Sequence, residues 1–181
     1  MKEPYKPSED TFLLEDVIRS IDVRGLAAEV GCSTGYILLV LAELGLEVVG
    51  TDIDAEAVSA ARERLRNHYG LIHLVNASSL PFRPGSLDLV VANPPYLPCD
   101  SEFYDPSIHG GPSGVETAIQ VLTGSVKTIK DEGRVVMVAS SLSDLRRLLD
   151  HASRIGFSLA KKVELRLFFE SLYCFIFTRR S

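Results

Sequence analysis

The chain has 181 residues, enough for one α/β domain with a substantial core and short for two. Its 46% apolar content is ordinary globular composition, its three distant cysteines give neither metal-ligand spacing nor a disulfide framework, and no apolar run reaches the ~18 residues of a membrane span. A formal charge of −5 does not favour bulk attraction to nucleic acid, the polar start MKEPYKPSED is not a signal peptide, and the cysteine usage suits a reducing, cytoplasmic location.

Residues 1–8 read as an extended arm containing Pro4 and Pro7. Ser8 then caps a helix with Glu9 and Asp10 in its first turn and Phe12, Leu13, Val17, Ile18 and Ile21 on one face, ended by Arg24-Gly25. Leu26-Ala27-Ala28-Glu29-Val30 is a short strand, Tyr36 to Leu44 a helix stopped at Gly45, and 46–51 a second strand ending at Asp52-Ile53-Asp54. Asp54 can cap a helix from Ala55 to Tyr69, with Gly70 as its stop, and Leu71 to Ala77 is a third strand suited to a sheet edge. Leu87-Asp88-Leu89-Val90-Val91-Ala92 is an almost unbroken apolar run and reads as a fully buried fourth strand.

A long loop over 97–112 follows, then a helix from Ser113 to Lys130, a strand from Gly133 to Ser140 and a helix from Leu142 to Arg154. The chain closes with two strands, from Gly156-Phe157 through about Phe168 and from Leu172 to Thr178. The alternation predicts an α/β fold, a doubly wound, mainly parallel, seven-stranded sheet whose last strand is antiparallel because no helix separates the closing pair.

Glu29-x-Gly31-x-x-x-Gly35 stands at a strand-to-helix turn, where glycine permits tight turning and close approach of a ligand. With Ser33 in the middle it is not the dinucleotide fingerprint G-x-G-x-x-G. Asp52 follows Gly31 by 21 residues at a strand end, where a carboxylate can accept both hydroxyls of a ribose, and Glu29 stands where a carboxylate can meet a cation. A ribose, an ammonium and a sulfonium without a pyrophosphate make S-adenosylmethionine a better match than NAD. Singly, the glycines fit a plain turn and Asp52 a helix cap; their joint spacing points to the cofactor.

Asn93-Pro94-Pro95-Tyr96 closes the fourth strand. Asn93 is pushed toward extended backbone by the proline after it, and Pro94 and Pro95 have fixed φ and no N–H. This stiff strand end presents carbonyl acceptors and an aromatic ring, a set that suits an NH2 group on a flat π system. The plainer alternative is a proline turn.

With both motifs in place, the chain resembles the class I S-adenosylmethionine-dependent methyltransferases, and Asn93-Pro94-Pro95-Tyr96 resembles the mark of those that methylate nitrogen of adenine, cytosine or glutamine. Pro7-Ser8-Glu9-Asp10-Thr11-Phe12-Leu13-Leu14 and the glycine-rich His109-Gly110-Gly111-Pro112-Ser113-Gly114-Val115-Glu116 are similar to motifs of the HemK-like glutamine methyltransferases, in the archaeal and eukaryotic release-factor branch. The likeness covers essentially the whole chain. It departs at Ser78-Ser79-Leu80, where the family often carries Asp.

The resemblance implies a Rossmann-like class I methyltransferase fold in a single domain over 1–181, with residues 1–24 closing over the cofactor. It implies Thr11, Glu29, Gly31, Cys32, Gly35, Asp52, Ile53, Ser78 and Asn93 as cofactor-binding residues, and Asn93, Pro94, Pro95 and Tyr96 as the catalytic set, with no metal. The substrate implied is the glutamine of a Gly-Gly-Gln motif in a class-I translation termination factor. Asn93 Oδ1 and the Pro94 carbonyl would accept its two amide hydrogens, Tyr96 would pack on its plane, and His109 would be a loop residue. An obligate partner, a small zinc-binding activator protein, is implied too. Leu71-Ile72-His73-Leu74-Val75 offers it an uncovered edge for strand addition, with His73 expected to supply a ladder donor. The alternative function is adenine-N6 methylation of RNA or DNA, for which Arg62, Arg64, Arg66, Lys161, Lys162, Arg166, Arg179 and Arg180 would have to form basic patches.

Overall fold

The computed structural model describes residues 7–180 apart from 69, 100, 101 and 103. The part of the expected arm before Pro7 and the expected helix end at Tyr69 lie outside those residues. Among the described residues seven strands form one sheet: β1 Leu26–Val30, β2 Glu47–Asp52, β3 Ile72–Asn76, β4 Leu87–Ala92, β5 Ile129–Ser140, β6 Phe157–Arg166 and β7 Ser171–Arg179, in the order β3-β2-β1-β4-β5-β7-β6. β1 to β5 are mutually parallel, and β7 runs antiparallel between β5 and β6. Among the described residues no helix is long and apolar enough to cross a membrane.

The helices are α1 Glu9–Arg19, α2 Tyr36–Glu43, α3 Ala55–Arg64, α4 Glu116–Thr128 and α5 Leu145–Arg154. α1, α2 and α3 bury Leu14, Ile18, Leu38, Leu41 and Ala61 on one face of the sheet. α4 and α5 bury Leu122 and Leu148 on the other, against Phe157, Phe175 and Phe177. Each large apolar side chain so buried contributes about 1.5–3 kcal/mol. β4 shows why its run is apolar throughout: Leu87, Leu89, Val90, Val91 and Ala92 are all buried, while Asp88 accepts a hydrogen bond from Leu26 N and pairs with Lys130 at the far end of the sheet.

Several element ends differ from expectation for local reasons. α1 stops at Arg19 rather than near Arg24, where Ser20 Oγ donates to Val17 O. Ser8 takes the extended N-cap conformation but gives its hydroxyl to Asp10 Oδ1 instead of capping. α3 ends at Arg64 and is followed by a 3-10 turn over Arg66–His68. α4 starts at Glu116 because Gly114, at φ +75°, still belongs to the turn before it. α5 starts at Leu145, where Asp144 accepts from Arg147 N. β5 begins four residues early, at Ile129, and absorbs the excess in a bulge where Glu132 has φ +64°.

β3 occupies one open edge, as expected, and β6 the other. Val48 N–H donates to Leu71 O and Ala77 N–H to Asp52 O. The alternation of a parallel ladder therefore turns the N–H groups of Ile72, Leu74 and Asn76 outward and that of His73 inward to β2. The expected outward donor at His73 is corrected accordingly.

Strand order reverses between β1 and β4, which makes their carboxyl ends the crevice of this sheet. Val30 is in register with Ala92, so Gly31 and Asn93 leave the sheet side by side.

Candidate active site

The first wall is the turn after β1. Gly31 N–H and Cys32 N–H both donate to Thr51 O, which ties the turn to β2. Gly31 has φ +75°, and a Cβ built on it would meet nothing within 4 Å, so its face stands open to the crevice. Gly35 differs: its φ is +77°, and a Cβ there would stand 2.6 Å from Leu65 Cδ1, so this glycine serves packing of α3 on the turn. Ser33 holds φ +44°, a conformation that costs a non-glycine residue on the order of 1 kcal/mol, and its N–H donates to Asp52 Oδ2 at 2.9 Å. The Cys32 side chain turns into the core beside Leu38 and Gly50, where burial pushes its thiol pKa up, so only its backbone belongs to the turn.

The second wall is the end of β2. Asp52 Oδ1 accepts Asp54 N–H at 2.9 Å, and Asp54 caps α3 through Glu56 N–H. The carboxylate is thus oriented by two backbone donors and keeps lone pairs for hydroxyls. Ile53, beside it, is 77% exposed, an apolar surface at the crevice mouth. Asn76 Nδ2 donates to the carbonyls of Asp52 and Ile53 at 2.8 and 3.0 Å and fixes this turn from β3. Ser78 is exposed in a bend past β3, while Ser79 Oγ lies over Gly124 of α4.

Glu29 lies beneath both walls. It is 4% exposed, and its Oε2 has no hydrogen-bond partner. Burial raises its pKa well above the ordinary carboxylate range; a hydrogen bond from the Leu38 backbone opposes this, and the Asp52 charge adds to it. A buried carboxylate of this kind calls for a cation. Together with the open Gly31 face, the oriented Asp52 and exposed Ile53, it fits the ammonium, ribose and adenine of S-adenosylmethionine.

The third wall is Asn93-Pro94-Pro95-Tyr96. Asn93 Nδ2 donates to Asp10 Oδ2 at 3.0 Å, and Tyr96 Oη donates to the same oxygen at 3.4 Å. An ionised carboxylate only accepts, so Asp10 selects the amide orientation that turns Asn93 Oδ1 away from itself. Thr11 is buried next to it, with its N–H and Oγ1 on Asp10 Oδ1 at 2.7 and 3.3 Å. Tyr36 Oη donates to Glu15 Oε2 at 2.7 Å and its ring meets Phe12 edge-on, which locks α1 over the glycine turn.

The loop over 97–112 forms the outer buttress. Leu97 N–H donates to Ile108 O, Gly110 N–H to Leu97 O and Cys99 N–H to Gly111 O. His109 Nδ1 accepts Asp105 N–H and its ring lies against Tyr104, so it organises the loop. A Cβ at Gly110 would stand 2.4 Å from Pro95 O, and one at Gly114 2.4 Å from Tyr96 O. Gly110 and Gly114 are therefore dictated by close packing on the third wall, whereas a Cβ at Gly111 would meet the Glu116 side chain. Ser143 Oγ donates to Tyr96 O at 2.6 Å from beyond β5.

The structure thus gathers Thr11, Glu29, Gly31, Asp52, Ile53 and the Asn93–Tyr96 segment around one crevice, and sets Gly35, Ser78 and the Cys32 side chain at its margins or behind it. Sequence reasoning missed Asp10, Asn76 and Ser143. Asp10 had a signal, since it lies within the quoted N-terminal motif; Asn76 and Ser143 had none.

Residues 28–94 match the family model described as a methyltransferase domain. A Methanocaldococcus jannaschii protein, provisionally described as a protein N5-glutamine methyltransferase, is 28% identical over 94% of this chain and 89% of its own length. The human MTRF1L release factor glutamine methyltransferase is 31% identical over 70% of this chain, which spans 45% of that longer protein. Among solved structures, the E. cuniculi Mtq2–Trm112 complex responsible for methylation of the eRF1 translation termination factor is similar with a TM-score of 0.74 and 28% identity, over 98% of both chains.

Proposed function

We propose that the chain is a HemK-like class I S-adenosylmethionine-dependent methyltransferase that methylates the side-chain nitrogen of the glutamine in a Gly-Gly-Gln motif of a class-I translation termination factor. The reading takes 1–181 as one catalytic domain with residues 1–24 as its cover, and a cytoplasmic location goes with that substrate. The observation that carries it is the Asn93 amide, fixed by Asp10 beside the open face of Gly31.

Bound S-adenosylmethionine supplies an electrophilic methyl on its sulfonium. Glu29 neutralises the ammonium end, the Gly31 backbone gives room for close approach, and Asp52 holds the ribose with Ile53 against the adenine. Asn93 Oδ1 and the Pro94 carbonyl accept the two hydrogens of the substrate amide, and Tyr96 packs against its plane. An amide nitrogen is a poor nucleophile, so this orientation does most of the work; holding two groups at near-attack distance contributes up to ~7–11 kcal/mol. Asp10 supports the arrangement by orienting Asn93.

The partner in this reading is a small zinc-binding activator added along β3. That edge presents His73 and the 38% exposed Val75 on an uncovered face, and a hollow lined by Leu39, Ala42, Glu43, His68, Gly70 and Leu71 opens beside its start. Adenine methylation on nucleic acid gains less support. Arg64 lies over the Tyr36 ring, Arg66 pairs with Glu63, Lys162 lies over Tyr173, Arg166 pairs with Glu164, Arg179 reaches Asp131 and Arg180 donates to Ser158. Cations so engaged make a poor phosphate track.

The test is incubation of the chain, co-expressed with the activator, with S-adenosylmethionine and a class-I termination factor. Mass spectrometry is expected to find one added methyl on the glutamine of the Gly-Gly-Gln peptide. Methylation of RNA with an unmodified factor would overturn the reading.

A further inference from the structure

Phe168 and Phe169 are 91% and 87% exposed, the two most exposed large apolar side chains among the described residues. Their rings meet edge to face with centroids 4.6 Å apart. They form the tip of the β6–β7 hairpin, between Arg166 and Ser171. Because Ser140, at the end of β5, is in register with Leu172 at the start of β7, this tip lies at the carboxyl edge of the parallel strands, the edge that carries Asn93.

The tip is held to that edge by a continuous set of hydrogen bonds. Ser140 Oγ bonds the Glu170 carboxylate, Ser141 N–H donates to Ser171 O at 2.8 Å, and Ser171 N–H donates to Ser141 Oγ at 2.9 Å. Two residues on, Ser143 Oγ donates to Tyr96 O. The hairpin and the third wall of the crevice are therefore braced through one short segment. Leu142, in that segment, is 50% exposed, and Tyr104 and Ile108 of the outer loop are each 47% exposed. Exposed apolar side chains therefore recur on this side of the crevice among polar ones, and an exposed apolar cluster beside a site marks protein docking.

We infer that the Phe168–Phe169 tip is the anchor by which the chain grips the body of its protein substrate, outside the acceptor glutamine; the inference rests on the reading of the substrate given above. Two phenylalanines offer on the order of 300 Å² for burial on a preorganised support, the form that interface anchors take. The occupant is a polypeptide and not a nucleic acid: Arg166 is paired with Glu164, Lys162 is committed to Tyr173, and Glu170 stands at the tip itself. Three strand spacings separate β4 from β6, roughly 14 Å, so an extended substrate reaches the tip only about four residues or more from the glutamine on Asn93.

That reach sets the experiment. The Phe168→Ser, Phe169→Ser double variant, with its activator, is compared with wild type on a purified class-I termination factor and on a pentapeptide centred on its Gly-Gly-Gln glutamine. The variant is expected to raise KM for the factor at least tenfold with kcat within twofold, and to leave kcat/KM for the pentapeptide and affinity for S-adenosylmethionine unchanged. Unchanged KM for the factor overturns the anchor while leaving the proposed function intact. Equal losses on factor and pentapeptide, or loss of the activator on purification, also overturn it. A wild-type enzyme that methylates neither substrate overturns the proposed function and the anchor with it.

Discussion

Asp10 joins the first helix to the strand end 83 residues away through Asn93 Nδ2, and its acceptor-only character gives the amide its direction. Asp10→Asn removes that selection and a charge-assisted hydrogen bond of about 1.5–3 kcal/mol. It is expected to cut kcat about ten- to a hundredfold while S-adenosylmethionine affinity, measured by calorimetry, stays near wild type. Asn93→Ala is expected to cost a hundredfold or more in kcat, again with the cofactor bound normally; near-normal turnover in either variant would refute the arrangement at the third wall. Glu29 gives a different readout. Its buried carboxyl binds a proton more tightly in the folded chain than in the unfolded one, chiefly because burial disfavours the charged form. Its contribution is therefore favourable at acid pH and is lost as pH rises from the ordinary carboxylate range through the raised folded value. Glu29→Gln is expected to raise the melting temperature of the cofactor-free protein at neutral pH, by about 2–4 °C for each kcal/mol recovered, and to weaken S-adenosylmethionine binding. Melting curves that coincide at neutral pH would show that the Glu29 charge carries no such cost.

At the scale of elements, two left-handed glycines make the clearest comparison. Gly45 and Gly114 both have positive φ, yet a Cβ at Gly45 meets open space and one at Gly114 meets Tyr96 O. Gly45→Ala is expected to cost about 1–2 kcal/mol in a denaturant titration, the left-handed backbone alone, with activity untouched. Gly114→Ala is expected to cost more and to lower kcat, because the clash displaces the third wall; equal behaviour of the two variants would remove the turn before α4 from the site. These elements differ in how far the sequence reveals them. β1 and β4 are legible because runs of buried apolar residues have no other use at that length, and the crevice motifs are legible because each lies within a few consecutive residues. The ends of α1, α4 and α5 are not, since Ser20, Gly114 and Asp144 decide them by single hydrogen bonds or a single dihedral. The Asp10–Asn93, Ser143–Tyr96 and Asn76–Asp52 bonds cross between elements, and no local pattern encodes such pairs.

At the scale of the whole molecule, the sheet has two open edges among the described residues, β3 and β6, with the crevice between them. Six strand spacings, roughly 29 Å, separate β3 from β6, so an activator on β3 and a substrate held at the β6–β7 tip can bind together without competing. Because the outward donors of β3 belong to Ile72, Leu74 and Asn76, Leu74→Pro is expected to abolish co-purification of the activator while leaving the ladder to β2 paired. His73→Pro, which removes an inward donor, is expected to destabilise the sheet itself. A Leu74→Pro protein that still carries its activator would place the partner elsewhere.

α1 packs on β5 and β7 as well as on α2. During synthesis α1 therefore emerges before the strands it rests on. The glycine turn and the Asn93 strand end both precede β5 and β7 in the chain, so the helix that carries Asp10 gains its full support only once β7 takes its place between β5 and β6. For α1, order of manufacture and order of assembly therefore run in opposite directions.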